Sequence, residues 1–474
     1  MMKVLLRHLG KLVLLAVPMF LGLFGFIFVE GHPLLQSLFN CICMYCLNYQ
    51  EEPLNIWIEV ARWLAPLATA SGVVLAVRHF KVALRNLRAY WTGHSVAVFG
   101  PEEERAVLLE ELGRSGIPMD EKPVKAHQYI LLGSEQENLD FYQNHRSYLK
   151  DHDVYIKCRE LPAQASTDSK LHLFCPEETA ARYFWKTYCP YQLSVENHHR
   201  FRITMIGFGK LGKELLLSAL QNNIFHRDQR IEYHVIGEEK GFRSIYSQLH
   251  ELSDSVFFHS EPWYEKMELI RESEMLIVTE ISDQLSVLRD MSLVHYGKPI
   301  HLLAAKQEGI RLLADQNSWV HVFDWKESAR KKDAILSFVL YDRAMRVNLR
   351  YAHLYNGVAE TPENRLQQWS LLDTFTRYAN IRSADYHDVR ENMIRVNGWS
   401  FPLDKAQMEE LAELEHIRWC RYHFLNNWKQ GNPENGKAKD PAARIHRSLV
   451  PYEKLCEEEK EKDRQVIDIL FSLS

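Results

Sequence analysis

Three closely spaced glycines mark the segment of this sequence that is best suited to binding chemistry. Gly207, Gly209 and Gly212 form the pattern G-x-G-x-x-G directly after the apolar run RITMI and before a run with helical spacing. In this pattern the first glycine allows a tight turn, the second lets a phosphate approach the backbone, and the third permits close packing of helix on strand. The helix N-terminus that follows attracts an anion. The pattern predicts a nucleotide site, with a purely structural glycine turn as the alternative.

Two charged side chains complete the predicted nucleotide site. Lys210 lies inside the glycine pattern, and Glu238 follows the next predicted strand, IEYHVIG. An acidic residue at the end of that strand binds a ribose hydroxyl in dinucleotide-binding folds. The adjacent Glu239 is an alternative for this role. The expected cofactor is NAD(H) or another adenine nucleotide.

A second group of candidate residues lies near the C-terminus. His416, Trp419 and His423 recur at helical spacing, so they share one helix face. Aromatic rings there could stack a nucleotide base, with a basic side chain such as Arg421 near the phosphate. The alternative is that the aromatic side chains fill the core of a small domain. The predicted ligand-binding residues are His416, Trp419, Trp428, Lys429, His446 and Tyr452.

Motifs for catalysis or metal binding do not stand out in the sequence. It has no nucleophile elbow, P-loop or HExxH pair, so we predict no catalytic residues, no metal site and no enzymatic activity. The net charge of -5 argues against nucleic-acid binding. Cys41, Cys43 and Cys46 could form a disulfide or bind a metal, and the alternative is that they are small apolar packing residues.

The glycine pattern belongs to the second of two related α/β segments. Short β-branched runs alternate with helices, which predicts doubly wound parallel sheets in domains at 92–199 and 200–334. The repeat is visible in LHLFCPEETA and VHVFDWKESA. The first copy is shorter and is expected to lack its second and third strands. Pro101 and the acidic run 102–104 replace its glycine loop, which predicts a structural or dimerising unit without a nucleotide.

Residues 95–334 resemble tandem TrkA-N (RCK-type) Rossmann domains through GFGKLG, the strand order after it and the VHVFDWKESA element. This resemblance implies dimeric, ligand-sensing units that sit behind membrane helices. A helical connector is expected at 335–400. Residues 401–474 resemble the RyR domain through EHIRW, NW, His446 and LVPY. That resemblance implies a sensor of nucleotide-derived signals, in some proteins for antiphage defence.

The first 91 residues predict a two-helix transmembrane hairpin, with helices at about 10–30 and 56–78. Basic residues flank both outer ends, which places both termini in the cytoplasm and the protein in the cell inner membrane. A cleaved signal peptide is the alternative for the first helix. The predicted fold class is therefore α/β plus α, with this hairpin at the N-terminus.

These features together predict a membrane-anchored sensor of a nucleotide-derived small molecule. A single hairpin cannot enclose a pore, so a ligand-gated channel or membrane effector requires a homo-oligomer, either a dimer or a tetramer. The expected partners are the nucleotide ligand and the lipid bilayer, without nucleic acid. The alternatives are a membrane-anchored NAD(P)-binding oxidoreductase and a non-catalytic scaffold.

Overall fold

The chain divides into two compact units, residues 1–95 and 96–474. The computed structural model describes residues 16–472 except 51, 53–54, 160–169, 280–282, 305–307, 315–316, 337–338 and 435. In the first unit the helices are residues 16–24 (α1), Leu34–Tyr45 (α2) and Ile56–Tyr90 (α3), with a π-helical turn at Gly25–Val29. Glycines permit their close packing, because a Cβ on Gly22 would lie 2.7 Å from Cys41 Sγ.

The predicted transmembrane hairpin is wrong. In the part of the chain that the structure describes, no helix combines the length and the apolar character needed to cross a bilayer. The predicted span 56–78 belongs to the longer helix α3, which continues to Tyr90 and carries the ion pair of Glu59 with Arg62 near its start. Residues 10–15 of the other predicted span lie outside the described residues. The predicted inner-membrane location with cytoplasmic termini depended on this hairpin and is also wrong.

The three cysteines of the first unit are free thiols. Cys41 is buried beside Phe26, Met44 and Ile58. Burial raises the pKa of the Cys41 thiol to about 11. Cys41 therefore behaves as a small apolar packing residue, as the simpler of the two sequence interpretations expected.

Five parallel strands form the first sheet of the second unit, in the order β2-β1-β3-β4-β5. They are Val96–Phe99 (β1), Gly116–Met119 (β2), Gln128–Leu131 (β3), Asp153–Lys157 (β4) and Leu171–Phe174 (β5). The accompanying helices are Glu102–Leu112 (α4), Glu135–Asn144 (α5), Arg146–Leu149 (α6), Pro176–Thr187 (α7) and Tyr191–Glu196 (α8). The expected loss of the second and third strands is wrong in part, because β2 pairs with β1 in the second position.

The second sheet has six parallel strands in the order β11-β10-β9-β6-β7-β8. The strands are Arg200–Ile206 (β6), Arg230–Ile236 (β7), Ser255–His259 (β8), Met275–Val278 (β9), Ile300–Ala304 (β10) and Val320–Asp324 (β11). Its helices are Lys210–Asn222 (α9), Phe242–Ile245 (α10), Met267–Glu272 (α11), Gln284–Val294 (α12), Glu308–Ala314 (α13) and Trp325–Arg330 (α14). This order is the doubly wound Rossmann arrangement that the sequence predicts, with the strand order reversing between β6 and β9.

Helices dominate the remainder of the second unit. They are Lys332–Leu336 (α15), Val339–Asn356 (α16), Pro362–Ser370 (α17), Thr374–Asn397 (α18), Lys405–Leu425 (α19) and Glu457–Ser472 (α20). A small sheet joins Lys429–Gln430 (β12), Lys439–Asp440 (β13) and Ile445–His446 (β14). Leu220 of α9, Tyr386 of α18 and Leu411 of α19 belong to one hydrophobic cluster. The C-terminal helices therefore share a continuous core with the second Rossmann-like sheet.

Candidate functional sites

The glycine turn lies at the carboxyl end of β6, where the strand order reverses. Gly207 has a φ of +96°, and a Cβ there would lie 2.7 Å from the carbonyl oxygen of Thr279. The Thr279 hydroxyl donates to the Gly207 carbonyl at 3.0 Å. A Cβ on Gly212 would lie 3.1 Å from the same carbonyl. Glycine is thus required at 207 by the backbone conformation and the close contact, and at 212 it is favoured by the tight packing of the helix start against the turn.

The start of helix α9 presents the features of an anion site. Gly209 is the N-cap residue, and no side chain caps the helix. Its first backbone N–H groups therefore remain for solvent or a ligand, and the helix dipole favours negative charge there. Lys210 is exposed beside them. The structure thus brings Gly207, Gly209, Lys210 and Gly212 together at a single turn, as predicted.

Glu238 is the acidic residue that is available next to this turn. It follows β7, which pairs with β6 up to Ile236, and its side chain is exposed. Glu239 is occupied instead, because its carboxylate accepts a hydrogen bond from the Arg243 backbone N–H at 3.0 Å. The structure therefore favours Glu238 over its neighbour for contact with a sugar hydroxyl.

A cavity of about 470 Å³ lies in the C-terminal helical region, and we call it the module cavity. Helices α16, α18, α19 and α20 and the segment around β13 and β14 form its walls. Of the predicted ligand residues, His416, Trp419 and His446 line it. Its other lining residues include Tyr351, Phe375, Asn380, Arg418, His423, Lys439, Lys462 and Asp463.

An aromatic wall runs along one side of the module cavity. The ring centroids of Trp419 lie 4.1 Å from His423 and 4.8 Å from His446. Phe375 of α18 continues the wall, with its ring 5.2 Å from that of His423. Tilted and edge-to-face rings at these distances form a rigid aromatic surface. The predicted aromatic cluster thus forms one wall of a cavity while its inner rings also contribute to the core.

Buried charged side chains form another part of the lining. The Glu415 carboxylate accepts hydrogen bonds from Arg390 and from Arg418, the latter at 2.7 and 2.9 Å. Burial would raise the pKa of Glu415, but the charges of Arg418 and Arg390 lower it. Nη1 of Arg418 has no hydrogen-bond partner among the described residues. Two guanidinium groups therefore share one carboxylate.

His416 adds a further positive charge. Its Nε2–H donates to the Val450 carbonyl at 2.8 Å, and its Nδ1 lies 3.4 Å from a carboxylate oxygen of Asp463. Burial alone would lower the pKa of His416, but the hydrogen bonds to Asp463 and Cys420 raise it to about 10. The hydrogen bond to Asp463 thus favours the imidazolium form of His416, while burial raises the pKa of Asp463.

Three predicted phosphate or base contacts lie elsewhere in the structure. Lys429 is exposed on β12, outside the cavity lining. Tyr452 is buried, and its hydroxyl donates to Glu409 at 2.9 Å. Arg421 is buried in an ion pair with Asp254, at 2.5 Å. Tyr452 and Arg421 are thus engaged in buried contacts, and none of the three side chains lines the module cavity.

The sixth predicted residue, Trp428, lines a neighbouring space of about 260 Å³, which we call the junction cavity. This cavity lies between helix α9 and the C-terminal helices. Its lining includes Glu214 and Gln221 of α9 and Arg382 of α18. Phe375, Thr376 and Lys439 line both cavities.

Several lining residues could not be predicted from the sequence. Lys439 and Lys462 carry no local signal, since lysines in polar loops and helices usually face solvent. Tyr351 and Asn380 come from helices α16 and α18, which precede the predicted RyR-like module. His423, in contrast, shares the helix face of His416 and Trp419, and this periodicity is sufficient to find it.

Comparison with known proteins adds a family assignment for one region. Residues 394–472 match the RyR domain family. A comparison of the sequence with curated proteins finds no match. Among solved structures, a mutant of GsuK has 14% identity and a TM-score of 0.36, covering 70% of this chain and 97% of its own.

Two further solved structures have the same low similarity. The GsuK channel bound to NAD has 12% identity and a TM-score of 0.36, covering 71% of this chain and 85% of its own. L-tryptophan dehydrogenase from Nostoc punctiforme has 10% identity and a TM-score of 0.26, covering 70% and 88%. The predicted similarity of the C-terminal region to RyR domains is therefore confirmed, and the similarity to TrkA-N domains stays a prediction.

Proposed function

We propose that this protein is a sensor that binds an anionic, nucleotide-derived small molecule in the module cavity. The proposal rests on the excess positive charge of a buried cluster of ionisable side chains. Three cations, Arg390, Arg418 and His416, lie with two carboxylates, Glu415 and Asp463. An uncompensated buried charge is costly, and a ligand anion offsets that cost. Lys439 at the rim adds to the attraction.

The size and the walls of the cavity suit the same class of ligand. Small-molecule sites occupy about 300–1,000 Å³ and combine apolar walls with a few polar groups. The module cavity, at about 470 Å³, falls in this range. Its aromatic wall accommodates a flat base, and its buried positive charge attracts a phosphate or another acidic group.

Direct contacts would carry the binding signal to both Rossmann-like sheets and their helices. Arg421 of α19 bonds Asp254, which precedes β8, and the Asn427 side-chain amide donates to the Ile245 carbonyl at 2.8 Å. Arg382 of α18 bonds Glu178 of α7 at 2.9 Å. A ligand shifts these elements only if it binds two of their arrangements with different affinity.

The glycine turn supports a second part of the proposal, which is an NAD(H) or another adenine nucleotide held at Gly207–Gly212 beside Glu238. The uncapped start of α9 would receive its phosphates. On this view the protein acts by binding rather than by catalysis, as a homo-oligomer. A part in antiphage defence stays a prediction from the RyR resemblance alone.

Calorimetry of the full chain with AMP, ADP and ADP-ribose tests the module site. We expect binding of at least one of these probes, weakened about tenfold by Lys439→Glu at low salt because a rim cation becomes an anion. Lys437→Glu makes the same charge change two residues away, outside the cavity lining, and should bind like the unmodified chain. Failure of all three probes to bind, or equal losses in both variants, would contradict the proposal.

A further inference from the structure

Two histidines that line the module cavity have opposite hydrogen-bonding character. Nδ1 of His423 lies 2.9 Å from the Trp419 carbonyl oxygen. A carbonyl oxygen only accepts hydrogen bonds, so Nδ1 must carry the proton. In the neutral ring, Nε2 of His423 is then an acceptor.

His446 is held in the other tautomer. The backbone N–H of Ser448 donates to Nδ1 of His446 at 3.1 Å. Nδ1 is therefore unprotonated, and Nε2 carries the proton of the neutral ring. Nε2 of His446 is a donor.

Both rings stay neutral at physiological pH. Burial lowers the pKa of His423 to about 3, and burial with the charge of Lys439 lowers the pKa of His446 to about 4. The two side chains are 5% and 8% exposed, and their ring centroids lie 5.8 Å apart. Among the described residues, the hydrogen bonds of both rings are made through Nδ1. Two neighbouring rings of the cavity lining thus carry one acceptor nitrogen and one donor nitrogen that their Nδ1 hydrogen bonds leave unused.

We propose that the module cavity binds a 6-aminopurine by its amino edge, between Nε2 of His423 and Nε2 of His446. The exocyclic amino group donates to His423, and the adjacent ring nitrogen accepts from His446. Adenine offers an amino donor next to a ring-nitrogen acceptor on both of its edges. Cytosine has this pair of groups on one edge, and the N7–O6 edge of guanine has two acceptors. This inference names the base of the ligand and rests on the proposed function.

Two nucleotides that differ only in the amino group test the inference. AMP carries the group, and purine riboside 5′-monophosphate lacks it. Calorimetry is carried out on the full chain with Gly209→Asp, so that the glycine turn does not contribute to binding. We expect AMP to bind at least about tenfold more tightly, because the analogue leaves the buried acceptor of His423 without a partner.

Variants separate recognition of the amino group from a structural role. His423→Phe keeps a ring in place and removes the acceptor, so AMP binding should weaken about tenfold while the analogue binds as before. His446→Phe should weaken both nucleotides, because both retain the ring nitrogens. His250→Phe is the control, since His250 is an exposed histidine outside the lining.

The outcomes distinguish this inference from the proposed function. Equal losses of AMP and its analogue in His423→Phe, or tighter binding of CMP, GMP or UMP than of AMP, would overturn the aminopurine assignment and leave an anion-binding cavity. Absence of binding by every nucleotide would overturn both.

Discussion

At Gly207, a left-handed backbone coincides with close packing against Thr279. An alanine there must adopt the φ of +96° and also place a Cβ 2.7 Å from a carbonyl oxygen. We expect Gly207→Ala to lower the free energy of unfolding by about 2–4 kcal/mol, since strain and overpacking add. Gly241 has a φ of +74°, and a Cβ added there would meet no atom within 4 Å, so Gly241→Ala should cost only about 1 kcal/mol. Urea denaturation measures both, and equal losses would contradict the packing argument.

The charge of His416 makes stability depend on pH in the alkaline range. Its pKa is about 10 in the fold, against 6.5 for an ordinary histidine. The folded state holds the proton more tightly, so this stabilisation is complete below about pH 6.5 and is lost as the pH rises towards 10.

The matched variant for this prediction is His416→Gln. Its free energy of unfolding should be lower than that of the unmodified chain at about pH 6, and the difference between them should shrink by about pH 10. Denaturation curves at several pH values measure that difference. A difference that stays constant across this range would show that His416 is not charged in the fold.

At the scale of elements, one buried ion pair fixes helix α19 to the second Rossmann-like sheet. The side chains of Arg421 and Asp254 are 3% and 0% exposed. Arg421→Met leaves the Asp254 charge buried without its partner, so we expect a loss of about 3–5 kcal/mol in the free energy of unfolding. Arg227 and Glu413 form a more exposed pair that also reaches α19, at 3.8 Å. Arg227→Met should therefore cost less than about 1 kcal/mol.

Chemical denaturation of both variants measures this difference. A second measurement distinguishes a loss of stability from a loss of the response to ligand. Hydrogen exchange in segment 245–254 should slow on nucleotide binding in the unmodified chain and in Arg227→Met. Under conditions in which Arg421→Met remains folded, that response should be weaker. An undiminished response in Arg421→Met would show that the signal does not pass through this pair.

The elements differ in how far sequence could predict them. The strands of the second sheet and the glycine turn can be predicted locally, because short apolar runs and the glycine spacing are visible within a few residues. Strand β2 gives little signal in the sequence, because it is short and contains Pro118. The module cavity was predicted only through its face on α19, since α16 and α18 meet that face by long-range packing. Apolar runs predict a hairpin with a second helix at 56–78. In the structure helix α3 instead continues through the basic residues after this run to Tyr90.

At the scale of the whole molecule, the two sites predict two separable binding events. Gly209→Asp places a carboxylate at the start of α9, where a ligand phosphate would lie, and aspartate is a good helix N-cap, so the fold should persist. Titration with NAD should then lose binding at the glycine turn by at least about tenfold. The module site should keep its affinity for AMP. Loss of AMP binding in the variant, or NAD binding unchanged by it, would contradict two spatially separate sites.

Helix α9 touches both regions of the molecule that carry these sites. Its N-terminus forms the glycine turn, and Leu217 and Gln221 further along line the junction cavity, which shares a wall with the module cavity. At about 1.5 Å per residue, the helix spans about 20 Å. Under the proposed function, a rigid helix of this kind would couple the two binding sites without contact between their ligands. The full response of the protein would then require both ligands to be bound at the same time.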